Sequence, residues 1–243
     1  MRLLYLVLIF LSASTLFAST RKRADQAFDL GKKYLIENQN PDGSWGSARR
    51  TKGLNVYAPG AASHHSLRCT TTSLAVMALL ETSSEDPKAM AAAKRGRDFL
   101  FAQLSKVKRP GFDLRWVVNN WAHCYSLRAL VRILKDKTLS ENNEGRIREL
   151  IASQVKRLER YQFPGGGWGY YDFDNRTQQP GGDATSFLTG SILIALKEVE
   201  ALGLPVNKKM VQAAVRKLKF FQKPDFSYIY SYDRLDAATW GIN

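Results

Sequence analysis

Cysteine and histidine are nearly missing from this chain. Two cysteines, Cys69 and Cys124, stand among 243 residues. That is too few for a disulfide framework, and the sequence leaves open whether the two pair with each other. The histidines are His64, His65 and His123. They fall in no H-x-x-x-H spacing, and the cysteines in no C-x-x-C, so neither a metal nor a cofactor is expected. Acidic residues are also short: 22 Asp and Glu face 36 Lys and Arg, a formal charge of +14. The excess is spread along the chain, and no nucleic-acid motif accompanies it, so nucleic acid is not an expected partner. One stretch departs, 164–203, where acids outnumber bases. No segment alternates as a strand would, which points to an all-α chain. With 44% hydrophobic residues the chain has material for a real core.

The first nineteen residues read differently. One Arg, an apolar run from about Leu3 to Leu11 and then small residues have the layout of a secretory signal peptide. The apolar run is shorter than the roughly 20 residues of a membrane span. An uncleaved anchor is the competing reading. The expected localisation is therefore outside the cytoplasm, periplasmic or extracellular, where a disulfide could persist. Residues 20–243 form the expected folded domain.

Against this background one string occurs twice. "QNPDGSWG" (39–46) and "QFPGGGWG" (162–169) both fit Q-x-P-x-G-x-W-G. The shared positions are Gln39, Gly43 and Trp45, and Gln162, Gly166 and Trp168. "QKPDFSY" from Gln222 is a degenerate third copy that keeps Pro224, Asp225 and Ser227 and puts Tyr228 where Trp45 stands. Gln103 stands between, with its loop drifted. The four glutamines lie 64, 59 and 60 residues apart, a period that points to repeated structural units. Before each glutamine runs an amphipathic helix pattern, such as Ala24, Ala27, Phe28, Gly31, Tyr34 and Leu35. Proline and glycine then break it. After three of the turns comes a more apolar helix: Thr70–Leu80, Trp121–Leu134 and Ala184–Leu196. The later outer helices are expected at Asp86–Ser105, Ser140–Tyr161 and Asn207–Gln222. About seven helices are legible, in units near 24–83, 86–136, 140–203 and 207–243, the last cut short. Inner and outer helices joined by a fixed turn build an array or ring. The Gln amide is expected to satisfy groups orphaned at helix ends, and the Trp to cover that contact.

The Q-x-P-D-G-S-W-G turn resembles the QW repeat of squalene–hopene and oxidosqualene cyclases. The helix pairs are similar to those of protein prenyltransferase β-subunits. "GGGWGYYDFDNRTQQPGGDATSFLTGSILIAL" resembles exported bacterial proteins with prenyltransferase/squalene-oxidase repeats. The resemblance covers about residue 24 to the end. It implies an α/α toroid, here an incomplete ring, and a binding or structural module. Its alternative implication is part of a terpenoid-cyclase-like enzyme in which an Asp protonates an isoprenoid. The catalytic motifs of these families do not carry over. The cyclases' D-x-D-D has as its nearest string "DFDN" (172–175), and the prenyltransferases' zinc-binding D-x-C is missing.

Residues that could carry chemistry sit where the inner helices begin, since free helix N–H groups gather there. Asp172 and Asp174, two apart, could act as general acid, with His123 as proton shuttle. The plainer readings are a solvated acidic turn and a loop histidine. Asp183 reads as a helix cap. His64, His65, Arg68 and Cys69 are expected in the loop before the first inner helix, and Asn119, Asn120 and Thr185 before the others. Trp121, Tyr125, Tyr170, Tyr171 and Phe173 could line a site for an apolar ligand; packing is the plainer explanation. Expected partners are an apolar, isoprenoid or polymeric ligand and a peripheral membrane contact.

Overall fold

The computed structural model describes residues 21–47, 61–83, 85–108, 118–172 and 184–231. The signal-peptide reading, Phe173, Asp174 and Asp183 lie outside them. Within them the chain is all-α. Seven long helices and one short one follow in order: α1 (21–37), α2 (Ala61–Ser83), α3 (Pro87–Gln103), α4 (Asn120–Lys135), α5 (Lys137–Ser140), α6 (Glu144–Arg160), α7 (Ser186–Glu200) and α8 (Lys208–Phe221). No strand occurs among the described residues; Gln222 and Tyr228 form one isolated bridge.

The outer helices begin where short-range chemistry starts them. Asp86 caps α3: its Oδ1 accepts from Lys88 N at 2.9 Å and Ala89 N at 3.3 Å. Pro87, which has no N–H to lose, takes the first helical position. Asn207 caps α8 in the same way, accepting from Lys209 N and Met210 N. The inner helices are different. Helix α2 begins nine residues before the expected Thr70, so His64, His65, Arg68 and Cys69 lie on a helix and not in a loop. Its many small polar residues are accommodated by bonding back one turn. Ser66 Oγ donates to Ala62 O, Thr70 Oγ1 to Ser66 O and Ser73 Oγ to Cys69 O. With that, serine and threonine can be buried inside a helix that their propensity alone would not predict.

Helices α2, α4 and α7 form one layer, with α4 between the other two, and α3, α6 and α8 pack outside them, each on the inner helix that precedes it. The core lies between the layers, and large side chains such as Leu79, Leu100, Leu127, Leu130, Ile147 and Leu158 are fully buried there. Ion pairs tie the inner layer together. Arg132 meets Glu81 of α2 and, at 3.1 Å, Glu198 of α7; Arg128 meets Glu198 at 3.3 Å. Cys69 and Cys124 are both free and buried, one on α2 and one on α4. Burial pushes each thiol up to about 12, so neither is a nucleophile at neutral pH.

The two exact turns make the same contacts. Gln39 Nε2 donates to Ala92 O of α3 at 2.9 Å, and Gln162 Nε2 to Met210 O of α8 at 2.8 Å. Each glutamine thus clasps the next outer helix, not a helix end. The tryptophan takes the role expected of the glutamine. Trp45 Nε1 donates to Leu35 O at 2.8 Å and Trp168 Nε1 to Leu158 O at 2.7 Å. Both acceptors are carbonyls in the last turn of a helix, where no N–H follows to bond them. The Trp backbone N–H groups go to the inner helices, at Thr72 Oγ1 and Thr189 Oγ1. One turn therefore joins three helices. Gly43 and Gly166 have φ of +85° and +90°. A Cβ on either would lie 2.4 Å from a backbone oxygen of the clasped helix, Arg95 O or Ala213 O. Only glycine satisfies both demands.

The third turn keeps the backbone pattern of the first two. Lys223 N donates to Ser227 O and Phe226 N to Lys223 O, as Asn40 N does to Ser44 O and Gly43 N to Asn40 O. Phe226 adopts φ +67° in the glycine position.

Candidate functional site

The segment after the second turn passes the starts of α4 and α7, and polar side chains fix it there. Asn120 Nδ2 donates to Gly169 O at 2.9 Å and to Tyr171 O at 2.7 Å. Thr185 N donates to Trp168 O at 2.9 Å. The Ser66 hydroxyl, whose one proton is shared with Ala62 O, also lies 2.5 Å from Asn119 Oδ1, and Asn119 Nδ2 donates to Asp172 Oδ2 at 3.0 Å. Asn119, Asn120 and Asp172 are fully buried. Asn119 is thus spent on tertiary contacts and makes no side-chain cap for its own helix. The cap position of α7 is Thr185, which makes no side-chain cap bond. Thr185 Oγ1 and Asn120 Oδ1 are buried without a hydrogen-bond partner.

This scaffold sets out a layer of aromatic rings. Trp121 stacks on Tyr125 one turn along α4, with centroids 5.6 Å apart and planes 5° from parallel. Trp121 also meets Tyr170 at 5.8 Å and Phe187 at 5.5 Å. Tyr170 meets Tyr171 edge-on at 6.2 Å. Tyr230, brought in by the third turn, stands 5.6 Å from Phe187, and its hydroxyl bonds that of Tyr170. Ser186 N donates to Tyr230 O at 3.0 Å, which anchors that strand of chain to the start of α7. All six rings are half-buried, so each keeps part of its surface open to solvent. The solvent side of the inner layer therefore runs from aromatic rings at the helix N-termini to the Arg128, Arg132 and Glu198 ion pairs near the C-termini.

Four of the five residues expected to line a ligand site, Trp121, Tyr125, Tyr170 and Tyr171, are together here. Phe187 and Tyr230 were not foreseen. Both had a register signal. Phe187 holds the second position of α7, as Trp121 does of α4. Tyr230 lies two residues past Tyr228, as Tyr170 lies two past Trp168.

The acid–base candidates are placed otherwise. Asp172 is fully buried at the end of the post-turn segment, its Oδ2 accepting from Asn119 Nδ2. His123 is fully buried on the opposite side of α4 from Trp121 and Tyr125, as its position two residues after Trp121 requires. Its Nδ1 is 2.7 Å from Gln154 Oε1 of α6, and its ring lies 5.5 Å from that of Tyr161. Burial lowers its pKa to about 3, further lowered by Arg157 and only partly restored by Gln154. At neutral pH it is an uncharged imidazole and not a general acid. His65 is on α2 with Nε2 3.2 Å from Gln103 O and 3.8 Å from Cys69 Sγ. Arg68 reaches out to Asp42 and Ser44 of the first turn, each at 2.5 Å. Among the described residues no group of three or more His, Cys, Asp or Glu is placed to hold a metal ion, and no helix is long and apolar enough to cross a membrane.

No family model, curated protein or solved structure matches this chain.

Proposed function

We propose that this chain is an exported repeat domain of the prenyltransferase/squalene-cyclase kind that serves as a binding module without a catalytic site of its own. Its ligand is apolar, of the isoprenoid class that the QW-type turns suggest, and it lies on the rings of Trp121, Tyr125, Tyr170, Phe187 and Tyr230. The observation that carries this reading is the exposure of those rings. Aromatic surface left half open, on side chains that already stack on one another, is surface a flat or chain-like apolar molecule can cover. Supporting the lack of catalysis is the full burial of both Asp172 and His123. The α/α-toroid architecture implied by the turns belongs to the same proposal.

The test is titration of the full chain with farnesol, followed by indole fluorescence and calorimetry, with gas chromatography of the mixture for products. Binding without product formation is expected. Trp121→Ala should weaken binding by at least about tenfold, an ordinary cost for losing one large ring at a contact. Its far-UV spectrum should stay unchanged. Equal binding by Trp121→Ala, or no farnesol binding by the native chain, rejects the site. Product formation rejects the non-catalytic reading.

A further inference from the structure

Helix α8 is unlike the other outer helices in charge. Acids interrupt the bases of α1 (Asp25, Asp29, Glu37), α3 (Asp98) and α6 (Glu144, Glu149, Glu159). From 208 to 223 there are six bases, Lys208, Lys209, Arg216, Lys217, Lys219 and Lys223, and no acid. Met210, Ala214 and Phe221 mark the buried side of the helix. The helical period puts Lys208, Lys209, Gln212, Val215, Arg216 and Lys219 on the side away from them, and all are exposed. Lys217 is turned toward the body, over the rings of Phe220 and Phe221. Two acids adjoin. Glu159 accepts from Asn207 Nδ2 at 2.5 Å, at the start of the helix only. Asp225 is held inside its turn by Ser227 N and Oγ, at 3.0 and 2.7 Å.

Apolar side chains are exposed along the same stretch of chain. Phe226 is 79% exposed, Phe220 56%, Tyr228 42% and Val215 39%. Phe226 is the informative one. It occupies the left-handed conformation that glycine takes at 43 and 166, a strain an L-residue adopts at a cost. Among the described residues, burial offsets little of that cost. A Cβ at this position of the turn also excludes an outer helix seated as α3 and α8 are seated on the first two turns, where the matching Cβ would lie 2.4 Å from backbone oxygen. Phe226 therefore does not seat a helix as the glycines at 43 and 166 do. A strained and exposed apolar side chain of this sort is explained by contact outside the chain.

The charge decides what that contact is. A second copy brings its own excess of +14 and meets α8 with like charge. A nucleic acid would use the cations and leave Val215 and Phe226 in water. An anionic bilayer uses both, since headgroup phosphates attract Lys and Arg while aromatic and aliphatic side chains enter the boundary between headgroups and acyl chains. We propose that the solvent side of α8 and the 222–228 turn dock this protein onto anionic phospholipid, with Phe226 as the inserted residue. This gives the peripheral membrane contact expected from the sequence a location, and it does not depend on the ligand assigned to the aromatic rings.

The experiment is co-sedimentation of the full chain with vesicles of phosphatidylcholine alone and of phosphatidylcholine with one-third phosphatidylglycerol. Binding to the anionic vesicles should be at least about tenfold tighter and should fall as salt is raised. Phe226→Gly relieves the strain, so it should fold more stably yet bind about tenfold less. That pair of results separates lost docking from lost structure. Arg216→Glu with Lys219→Glu should abolish the preference for anionic vesicles while the helix content stays constant. Equal binding to neutral vesicles, undiminished binding by Phe226→Gly, or displacement from vesicles by heparin with equal affinity for heparin alone would overturn the proposal.

Discussion

At the scale of single residues, the turn glycines and His123 carry the most weight. Gly43→Ala and Gly166→Ala each combine left-handed strain, about 1–2 kcal/mol, with a contact against backbone that cannot rotate away. Each should lower stability by at least about 3 kcal/mol in urea unfolding. Gly203 is the control. Its φ is +72° but a Cβ there meets nothing within 4 Å, so Gly203→Ala should cost only about 1–2 kcal/mol. A Gly203 effect as large as the turn effects would refute the clasp. His123 makes stability depend on pH. The folded state holds its pKa at about 3, while the unfolded chain takes a proton below about 6.5. The contribution is fully present above 6.5 and is lost as pH falls from there toward 3. By pH 4.5 the loss is roughly 2–3 kcal/mol. In His123→Leu the slope over that window should flatten, and an unchanged slope would mean that His123 opens to solvent in the native state.

At the scale of elements, the turn behaves as a joint for three helices. Trp168→Phe keeps an apolar ring but leaves Leu158 O without its donor in a buried position. Together with the smaller ring, this should cost about 2–4 kcal/mol. Gln162→Leu strikes the other arm, at Met210 O of α8. Hydrogen exchange should then show faster opening in α8 with α6 little changed, whereas Trp168→Phe should loosen the end of α6. Equal effects of both variants on both helices would mean the arms are not separate. The outer helices were legible to within a few residues because their starts are written locally, as Asp86–Pro87 and as Asn207. The start of α2 was not. Serine, threonine and histidine between Ala61 and Thr70 favour caps and turns by propensity, and what makes them helical is burial against α4 and the next unit's polar side chains.

At the scale of the whole molecule, protection from exchange should follow position in the array. Helix α4 packs against α2, α5, α6 and α7, whereas residues 21–31 of α1 are all exposed. Amides of α4 should exchange most slowly and those of 21–31 fastest, by several orders of magnitude. Comparable rates in the two would show that α1 is covered in solution.

Periodicity was enough to establish an all-α array with inner and outer helices, because apolar spacing, caps and breakers act over one or two helical turns and are read directly from neighbours in the chain. The turn was legible as a turn for the same reason. Its division of labour was not: which carbonyl Gln39 reaches is settled 53 residues away. Nor could local pattern say that Trp121, Tyr125, Tyr170, Phe187 and Tyr230 share one surface while His123, two residues from Trp121, faces the other layer among buried polar groups. Those assignments come from helix rotation and from which loop crosses which helix end, and only the packed structure decides them.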